Sequence, residues 1–132
     1  GRMPTPKWLD HTTIVALHLD QLREHGGLLG MRDEAALDAA LEKPRRKWET
    51  DEERPDLARM AAWYGHAIAT DRPFKDGNGR VAFLAMATFL EMNGRTCTAS
   101  EEEVLVAMIA LSDEHLSRKK LAAWIRERLT PD

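Results

Sequence analysis

The chain has 132 residues, of which 43% are hydrophobic and 31% charged, and its formal net charge is −3. This length is enough for one domain with a single buried core, and the composition is that of an ordinary soluble globular protein. The small negative charge gives no reason to expect general affinity for nucleic acid or anionic lipid, so any basic function must be local.

The first residues indicate where the domain begins, and the single cysteine bears on the cellular compartment. Residues 1–3 are interpreted as a remnant of tag cleavage, which leaves residues 4–132 as a single domain. Cys97 has no cysteine partner in the chain, which excludes an internal disulfide and fits a reducing cytoplasm. We find no signal-peptide pattern and no apolar run near the roughly 20 residues of a membrane span.

Hydrophobic spacing predicts helices along nearly the whole chain, with no strand and no internal repeat. A first helix is predicted over residues 8–25 and ends at Gly26 and Gly27. Its inward stripe comprises Trp8, Ile14, Val15, Leu17, His18 and Leu22.

Three further segments follow the glycine pair. Asp33 is a good N-cap for a second helix over residues 34–42, and Pro44 lies beyond its end. Residues 43–56 are charged and hold two prolines, so they are predicted to form a surface loop or a short extended segment. A third helix is predicted over residues 56–70, with a clear apolar stripe.

The fourth predicted helix, residues 78–92, is apolar almost all round, which is typical of a helix at the centre of a bundle. Asn-Gly at residues 93–94 ends it. Ser100 and Glu103 form a capping box for a helix over residues 101–111, and a serine at position 117 caps a last amphipathic helix. The sequence therefore predicts an all-α fold of six helices around a central buried helix.

The segment of residues 71–80, Asp-Arg-Pro-Phe-Lys-Asp-Gly-Asn-Gly-Arg, stands directly before that central helix. Gly77 and Gly79 let the backbone approach a ligand closely, and the free N–H groups of a helix start attract anions. Arg80 adds a permanently charged donor for phosphate oxygens, and Asp76 is a carboxylate suited to Mg²⁺. The segment predicts a polyphosphate site.

The alternative is an ordinary turn at a helix start that needs no ligand, and the four residues 76–79 alone would favour it. Pro73 and Phe74 before them, and Arg80 after them on an apolar helix, favour the phosphate site instead.

Three segments resemble the Fic/Doc family. Residues 72–80, RPFKDGNGR, resemble the Fic signature His-Pro-Phe-x-(Asp/Glu)-Gly-Asn-(Gly/Lys)-Arg at every position except the first. Residues 25–33, HGGLLGMRD, resemble the N-terminal half of the Doc ("death on curing") toxins, and residues 88–94, TFLEMNG, fit the same subfamily. The resemblance covers most of the chain and implies the six-helix Fic/Doc bundle.

This resemblance implies an enzyme that transfers part of a nucleoside triphosphate to a hydroxyl side chain of a target protein. Most Fic proteins transfer AMP, whereas Doc transfers the γ-phosphate of ATP to a threonine of elongation factor Tu and blocks translation. By motif position, the resemblance implies that the first residue is the general base, that Phe74 anchors the loop in the core and that Asp76 binds Mg²⁺. The residues implied to act in the transfer are Arg72 (at the histidine position), Asp76, Asn78 and Arg80; those implied to bind nucleotide or phosphate are Pro73, Phe74, Lys75, Gly77, Asn78, Gly79 and Arg80.

Two residues bear on which group is transferred. Gly79 is the Fic-like choice where Doc usually has lysine, but Phe83 replaces the second arginine common in AMP-transferring Fic proteins. With the short chain and the Doc-like residues 25–33, we expect phosphate transfer. No inhibitory-helix pattern is evident, so we expect control by a Phd-like antitoxin, whose disordered tail folds as a helix on binding, in the bacterial cytoplasm.

Arg72 departs from the family pattern, because it stands where the signature has histidine. A neutral imidazole has a lone pair that can accept a proton, whereas a guanidinium is always charged and has no acceptor site. We expect this form to be inactive, either through an inactivating change or as a degenerate homologue. A non-catalytic protein that binds nucleotide or antitoxin stays an alternative, as does AMP transfer.

Other polar residues are candidates for binding or catalytic sites. The basic residues 43–47 precede several acids that cancel their field, which argues against direct nucleic-acid binding. The resemblance implies a target-docking flap here, at Arg46, Lys47, Trp48, Glu49 and Thr50, with Trp48 a candidate partner contact. His66 could replace the missing base, but it and the other histidines (His11, His18, His25 and His115) are interpreted as ordinary packed or solvated side chains.

Overall fold

The computed structural model describes residues 4–131 and is all-helical over that range, as predicted. The predicted tag remnant, residues 1–3, lies outside the described residues. The six helices are α1 (His11–His25), α2 (Glu34–Thr50), α3 (Leu57–Asp71), α4 (Asn78–Met92), α5 (Glu101–Ser112) and α6 (Arg118–Glu127). Within the described range the only β-type pairings are two isolated bridges, and no helix is long and apolar enough to span a membrane.

The helix starts follow local capping chemistry. The carboxylate of Asp33 accepts a hydrogen bond from the backbone of Ala36, and Ser100 and Glu103 form the predicted reciprocal capping box at the start of α5. Ser117 caps α6, as predicted. Each cap satisfies an N–H group that the helix itself leaves without a partner, so these boundaries could be predicted from the sequence alone.

The core is centred on α3 and α4 together. Eleven residues of α3 are buried, against seven of α4, because α3 packs on α2, α4 and α6 at once. The sequence predicted one central helix, α4, and the structure shows two, α3 and α4. The loop that joins these two helices is the segment for which the sequence predicts a phosphate site.

Residues 43–50 are helical, so the prediction of a surface loop over residues 43–56 was wrong for that part. Helix α2 runs on through Pro44, although proline removes one backbone hydrogen bond at a typical cost of about 3 kcal/mol. The helix persists because Leu37, Ala40, Pro44 and Trp48 form a buried stripe along it.

The sequence predicted Trp48 as a candidate partner contact, but the structure does not leave it free for that role. Trp48 lies at the end of the buried stripe and is only 7% exposed. The guanidinium of Arg54 lies 4.9 Å above its ring and donates to its carbonyl oxygen. The remaining flap residues lie in the last turn and a half of α2, where Arg46 pairs with Glu42. Their predicted docking role stays a prediction, but it belongs to a helix end and not to a loop.

Helix α1 buries a partly polar face. Ile14 is buried as expected, but so are His18 and Gln21, each 3% exposed, while Val15 from the predicted inward stripe is 39% exposed. Buried polar groups need partners, and His18 has one on the motif loop described below, whereas Gln21 only packs against that loop.

Gly65 sets the distance between the two central helices. A Cβ atom added there would lie 2.3 Å from the sulfur of Met86, which is itself 3% exposed. We predict that Gly65→Ala lowers the free energy of unfolding by about 1 kcal/mol in urea titrations. Overpacking costs about 1–3 kcal/mol, and this exceeds the gain of about 1 kcal/mol in helix propensity.

The control is Ala123→Gly at an exposed position of α6, which measures helix propensity without packing. An increase in stability for Gly65→Ala, equal to the loss in the control, would show that the contact with Met86 does not restrict this site.

Asp56 joins α3 to α6. Its carboxylate caps α3 by accepting from the backbone of Arg59, and it accepts two hydrogen bonds from Arg126, of 2.8 and 3.2 Å. Burial acts to raise the pKa of Asp56, but the hydrogen bonds from Arg126 and Arg59 outweigh it, so the pKa lies below its ordinary value of 3.8. The folded state thus binds this proton more weakly than the unfolded state does.

We predict that this stabilisation is complete above about pH 5 and is lost progressively as the pH falls through the ordinary value of 3.8 and then through the lowered pKa of Asp56. Asp56→Asn keeps a capping oxygen but removes the charge, so its midpoint in urea should approach that of the unchanged protein at low pH and fall below it near pH 7. The measurement is the urea midpoint of both proteins across that range. A difference that does not vary with pH would contradict the assignment.

Candidate functional site

The motif loop, residues 72–79, begins where α3 ends and turns directly into α4. Arg72 ends α3 in a left-handed conformation with φ 49° and ψ 62°. Gly77 is also left-handed, and no side chain caps the N-terminus of α4 that follows it. The N–H groups of the first turn of α4 are therefore available to a ligand, at the end of the helix where the dipole favours anions.

Asn78 closes the loop on itself. Its side-chain oxygen accepts from the backbone N–H of Phe74 at 3.0 Å, and its side-chain nitrogen donates to the carbonyl of the same residue at 2.9 Å. Both ends of the amide are used inside the loop. The phosphate-positioning role of Asn78 stays a prediction, and what the structure shows is that its amide fixes the shape of the loop backbone.

Helix α1 supports the loop from below. The ring of Phe74 is buried and stacks on that of His18, with centroids 3.9 Å apart and an interplanar angle of 13°. Nε2 of His18 donates to the carbonyl of Asp76 at 2.9 Å, so this nitrogen carries the hydrogen. Gln21 packs beneath Gly77, and its Nε2 is buried without a hydrogen-bond partner among the described residues.

The glycine segment, residues 26–33, forms the second wall of the site. The backbone N–H of Leu28 donates to the carboxylate of Asp76 at 3.1 Å, and the N–H of Lys75 donates to the carbonyl of Gly30 at 3.0 Å. The remaining hydrogen bonds come from the backbones of Arg32 and Asp33 to the carbonyl of Pro73, and from the side chain of Arg32 to the carbonyls of Asp71 and Arg72. The segment that resembles Doc toxins therefore holds the segment that resembles the Fic signature.

A cavity of about 310 Å³ opens over the motif loop. It is lined by Arg32, Ala69, Arg72, Phe74, Lys75, Asp76, Gly77, Asn78, Gly79 and Ser112. Seven of the nine site residues predicted in residues 72–80 thus meet at one cavity, which carries three cationic side chains and one carboxylate, and none of the five predicted flap residues lines it. Pro73 is buried behind the lining, and Arg80 is exposed and outside it.

Asp76 is the one residue of this cavity that could hold a cation. Its two oxygens accept from the backbones of Gly77, at 2.9 Å, and Leu28, so each keeps a free lone pair. Among residues 4–131, no three His, Cys, Asp or Glu side chains form a metal-binding group. A single carboxylate suits Mg²⁺, which takes one or two protein ligands together with phosphate and water oxygens.

His66 lies away from the motif loop, in a second cavity of about 490 Å³ between the end of α3 and the connection of α5 to α6. Burial lowers the pKa of His66, and the charges of Arg118 and Lys43 lower it further, so its neutral form is favoured. It does not line the cavity with Arg72, and we assign it no part in replacing the missing base.

Sequence reasoning missed four supports of the site: His18, Gln21, the backbone of Leu28, and Arg32. His18 and Gln21 are three residues apart and share a face of α1 with Ile14. Polar residues on the same helix face as an apolar one are expected to point towards the core. Such a pattern predicts burial but not the partner. That partner lies more than 50 residues away along the chain.

The fold and loop define an all-helical protein with a Fic-type loop at the start of a buried helix. The model of the Fic/DOC family matches residues 8–90, more than half of the chain, and the protein belongs to this family. It is similar to "Protein kinase doc" of Escherichia phage P1, with 33% identity over 81 residues that cover 61% of this chain and 64% of the phage protein. The match thus spans less than two thirds of that relative.

Gly77 offers a test of how tightly α1 holds the loop. A Cβ atom there would lie 2.2 Å from Nε2 of Gln21, in addition to the strain of a φ of +76°. Gly94, with φ +81° and open space around it, is a matched control for the strain alone.

We predict that Gly94→Ala lowers the free energy of unfolding by about 1 kcal/mol and that Gly77→Ala lowers it by about 2–4 kcal/mol, measured in urea. The loss of stability caused by Gly77→Ala should become smaller when it is combined with Gln21→Ala. The double variant removes the steric overlap with Gln21, so only the backbone strain of the positive φ remains. Equal losses at the two glycines would show that Gln21 does not restrict the loop.

Proposed function

We propose that the chain is a Doc-like toxin which, with histidine at position 72, transfers the γ-phosphate of ATP to a threonine hydroxyl of elongation factor Tu. The observation that carries the proposal is the cavity over the motif loop, where an uncapped helix start and three cations surround one carboxylate. Membership of the Fic/DOC family and the similarity to a protein named as a kinase support this reaction class. The bacterial cytoplasm is the compartment in which that target occurs.

Binding of the triphosphate rests on the backbone and on charge. The first-turn N–H groups of α4 and the left-handed turn at Gly77 form the anion site, and Lys75 adds charge at its edge. Arg80 is exposed on the first turn of α4 and has no ion pair with another described residue, so its guanidinium is available to phosphate oxygens. Asp76 would hold Mg²⁺, which supplies charge neutralisation to the phosphates when it is bound.

The first motif position carries the acid–base step. Residue 72 lines the cavity at the end of α3, where a histidine would accept the proton of the incoming hydroxyl. Arginine there cannot accept a proton, and losing a general base typically costs about 10²–10⁴-fold in rate. We therefore propose that the present form binds nucleotide but transfers it very slowly.

A protein partner is the proposed control. Leu28 and Leu29 of the glycine segment are 65% and 69% exposed, beside the backbone that holds Asp76. Exposed leucines at the edge of a charged cavity favour a partner that covers the site. We propose that this partner is a Phd-like antitoxin whose disordered tail folds as a helix on binding.

AMP transfer is the second candidate, and Gly79 was the residue that favoured it. The structure offers a different reason for this glycine, because a Cβ atom there would lie 3.0 Å from both Met108 and Ser112 of α5. Packing of α5 against the start of α4 thus accounts for Gly79 without reference to the transferred group. Phosphate transfer therefore stays the first proposal.

We predict that Arg72→His restores transfer, raising the rate at least about 10²-fold over the unchanged protein. The assay supplies ATP labelled at either the α or the γ position, with purified elongation factor Tu and Mg²⁺. Label from the γ position alone is expected, together with growth arrest when the variant is induced without antitoxin. Arg72→Gln, which removes the charge without adding a base, is the matched control and should stay inactive.

The other outcomes separate the alternatives. Label from the α position would establish AMP transfer and contradict the kinase proposal. Binding of ATP with no transfer of either label to any protein of a bacterial extract would identify a non-catalytic member of the family.

A further inference from the structure

The end of α3 adopts a conformation that residues with side chains disfavour. Arg72 has φ 49°, and within residues 4–131 the only other non-glycine residue with a positive φ is Glu114. Arginine gains nothing from this conformation, and histidine would gain little, so the surrounding structure must hold it. The holding group must act on the backbone, because no hydrogen bond or ion pair engages the guanidinium of Arg72 within the described range.

Arg32 is that group. Its Nε donates to the carbonyl of Arg72 at 2.6 Å, and one of its terminal nitrogens donates to the carbonyl of Asp71. Its own backbone N–H donates to the carbonyl of Pro73 at 2.7 Å. One residue of the glycine segment thus holds three consecutive carbonyls where α3 ends and the motif loop begins.

The chemistry of this contact suits a guanidinium. The last carbonyls of a helix have no partners within it, and they lie at the negative end of the helix dipole. A planar fork of donors can reach two adjacent carbonyls at once, whereas the ammonium of lysine is a single point charge. The glycines at positions 26, 27 and 30, all with positive φ, let the segment turn so that Arg32 arrives at this point.

We infer that Arg32 is a positioning residue that fixes the backbone of residue 72 and so aims whichever side chain stands there into the cavity. The contact is made to backbone carbonyls, so it acts in the same way on arginine and on histidine. Its effect on catalysis rests on the proposed function, but its effect on the conformation of residue 72 does not.

The conformational test needs no activity. The backbone N–H of Arg72 donates to the carbonyl of Ile68 at 3.2 Å, so its hydrogen exchange reports whether the end of α3 stays closed. In the unchanged protein, Arg32→Gln is expected to speed exchange at Arg72 about tenfold, and Arg32→Lys to speed it less. Arg23→Gln, at an exposed arginine of α1, is the matched control and should leave it unchanged.

Because Arg32 is itself exposed, the Arg32→Gln protein should fold, which circular dichroism checks. Unchanged exchange at Arg72 in Arg32→Gln would overturn the inference. So would an equal increase at amides in the middle of α3, since that would mark a general loss of stability.

The catalytic test uses the Arg72→His background. Arg32→Gln is expected to lower kcat about tenfold, in addition to any rise in the KM for ATP from the lost charge, and Arg32→Lys, which keeps the charge but not the fork of donors, to recover only part of kcat. A raised KM with an unchanged kcat would overturn the inference, because it would make Arg32 a nucleotide contact. If Arg72→His transfers no label, the proposed function fails, and the exchange at Arg72 alone decides the role of Arg32.

Discussion

The stack of Phe74 on His18 is the contact on which the rest of the site depends. It places the aromatic side chain of the motif loop in the core, and the neighbouring residues Lys75 and Asp76 stay exposed, where a ligand can reach them. The same histidine then donates to the carbonyl of Asp76, so a single side chain sets both the depth of the loop and the course of its backbone. Without His18, the loop that Asn78 closes would be held mainly by its hydrogen bonds to the glycine segment. The loop is therefore a tertiary feature that its own sequence could not form alone.

This dependence explains which features could be predicted from the sequence. Helix starts such as Ser100 and Ser117 are fixed by groups within four residues, and their caps were predicted correctly. The extension of α2 through Pro44 was missed, because a local rule against proline lost to a buried stripe that only the packed fold reveals. The site shows the same division. Most residues at the cavity come from one short motif, whereas the side chains that hold this motif in place, His18 and Arg32, come from segments 40 or more residues away.

The charged side chains that line the cavity indicate which kind of ligand it could bind. Arg32, Arg72 and Lys75 surround the cavity, and Asp76 is the one carboxylate among its lining residues. A ligand with several negative charges and a divalent cation would balance this set, whereas a neutral ligand would leave the cations facing one another. Arginine at position 72 thus adds a positive charge to the cavity, and it offers no atom that can accept a proton. Loss of the base need not weaken the affinity for a phosphate donor.

At position 72 the backbone conformation does not depend on the chemistry of the side chain. The left-handed backbone there is held by hydrogen bonds to carbonyls, and no hydrogen bond or ion pair within residues 4–131 engages the guanidinium. A substitution at this position therefore changes few interactions that stabilise the fold, as long as Arg32 still reaches the end of α3. Gly77 is the opposite case, because both its conformation and the space beside Gln21 exclude a side chain. The side chain at the first motif position can therefore change its chemistry while the loop keeps its shape.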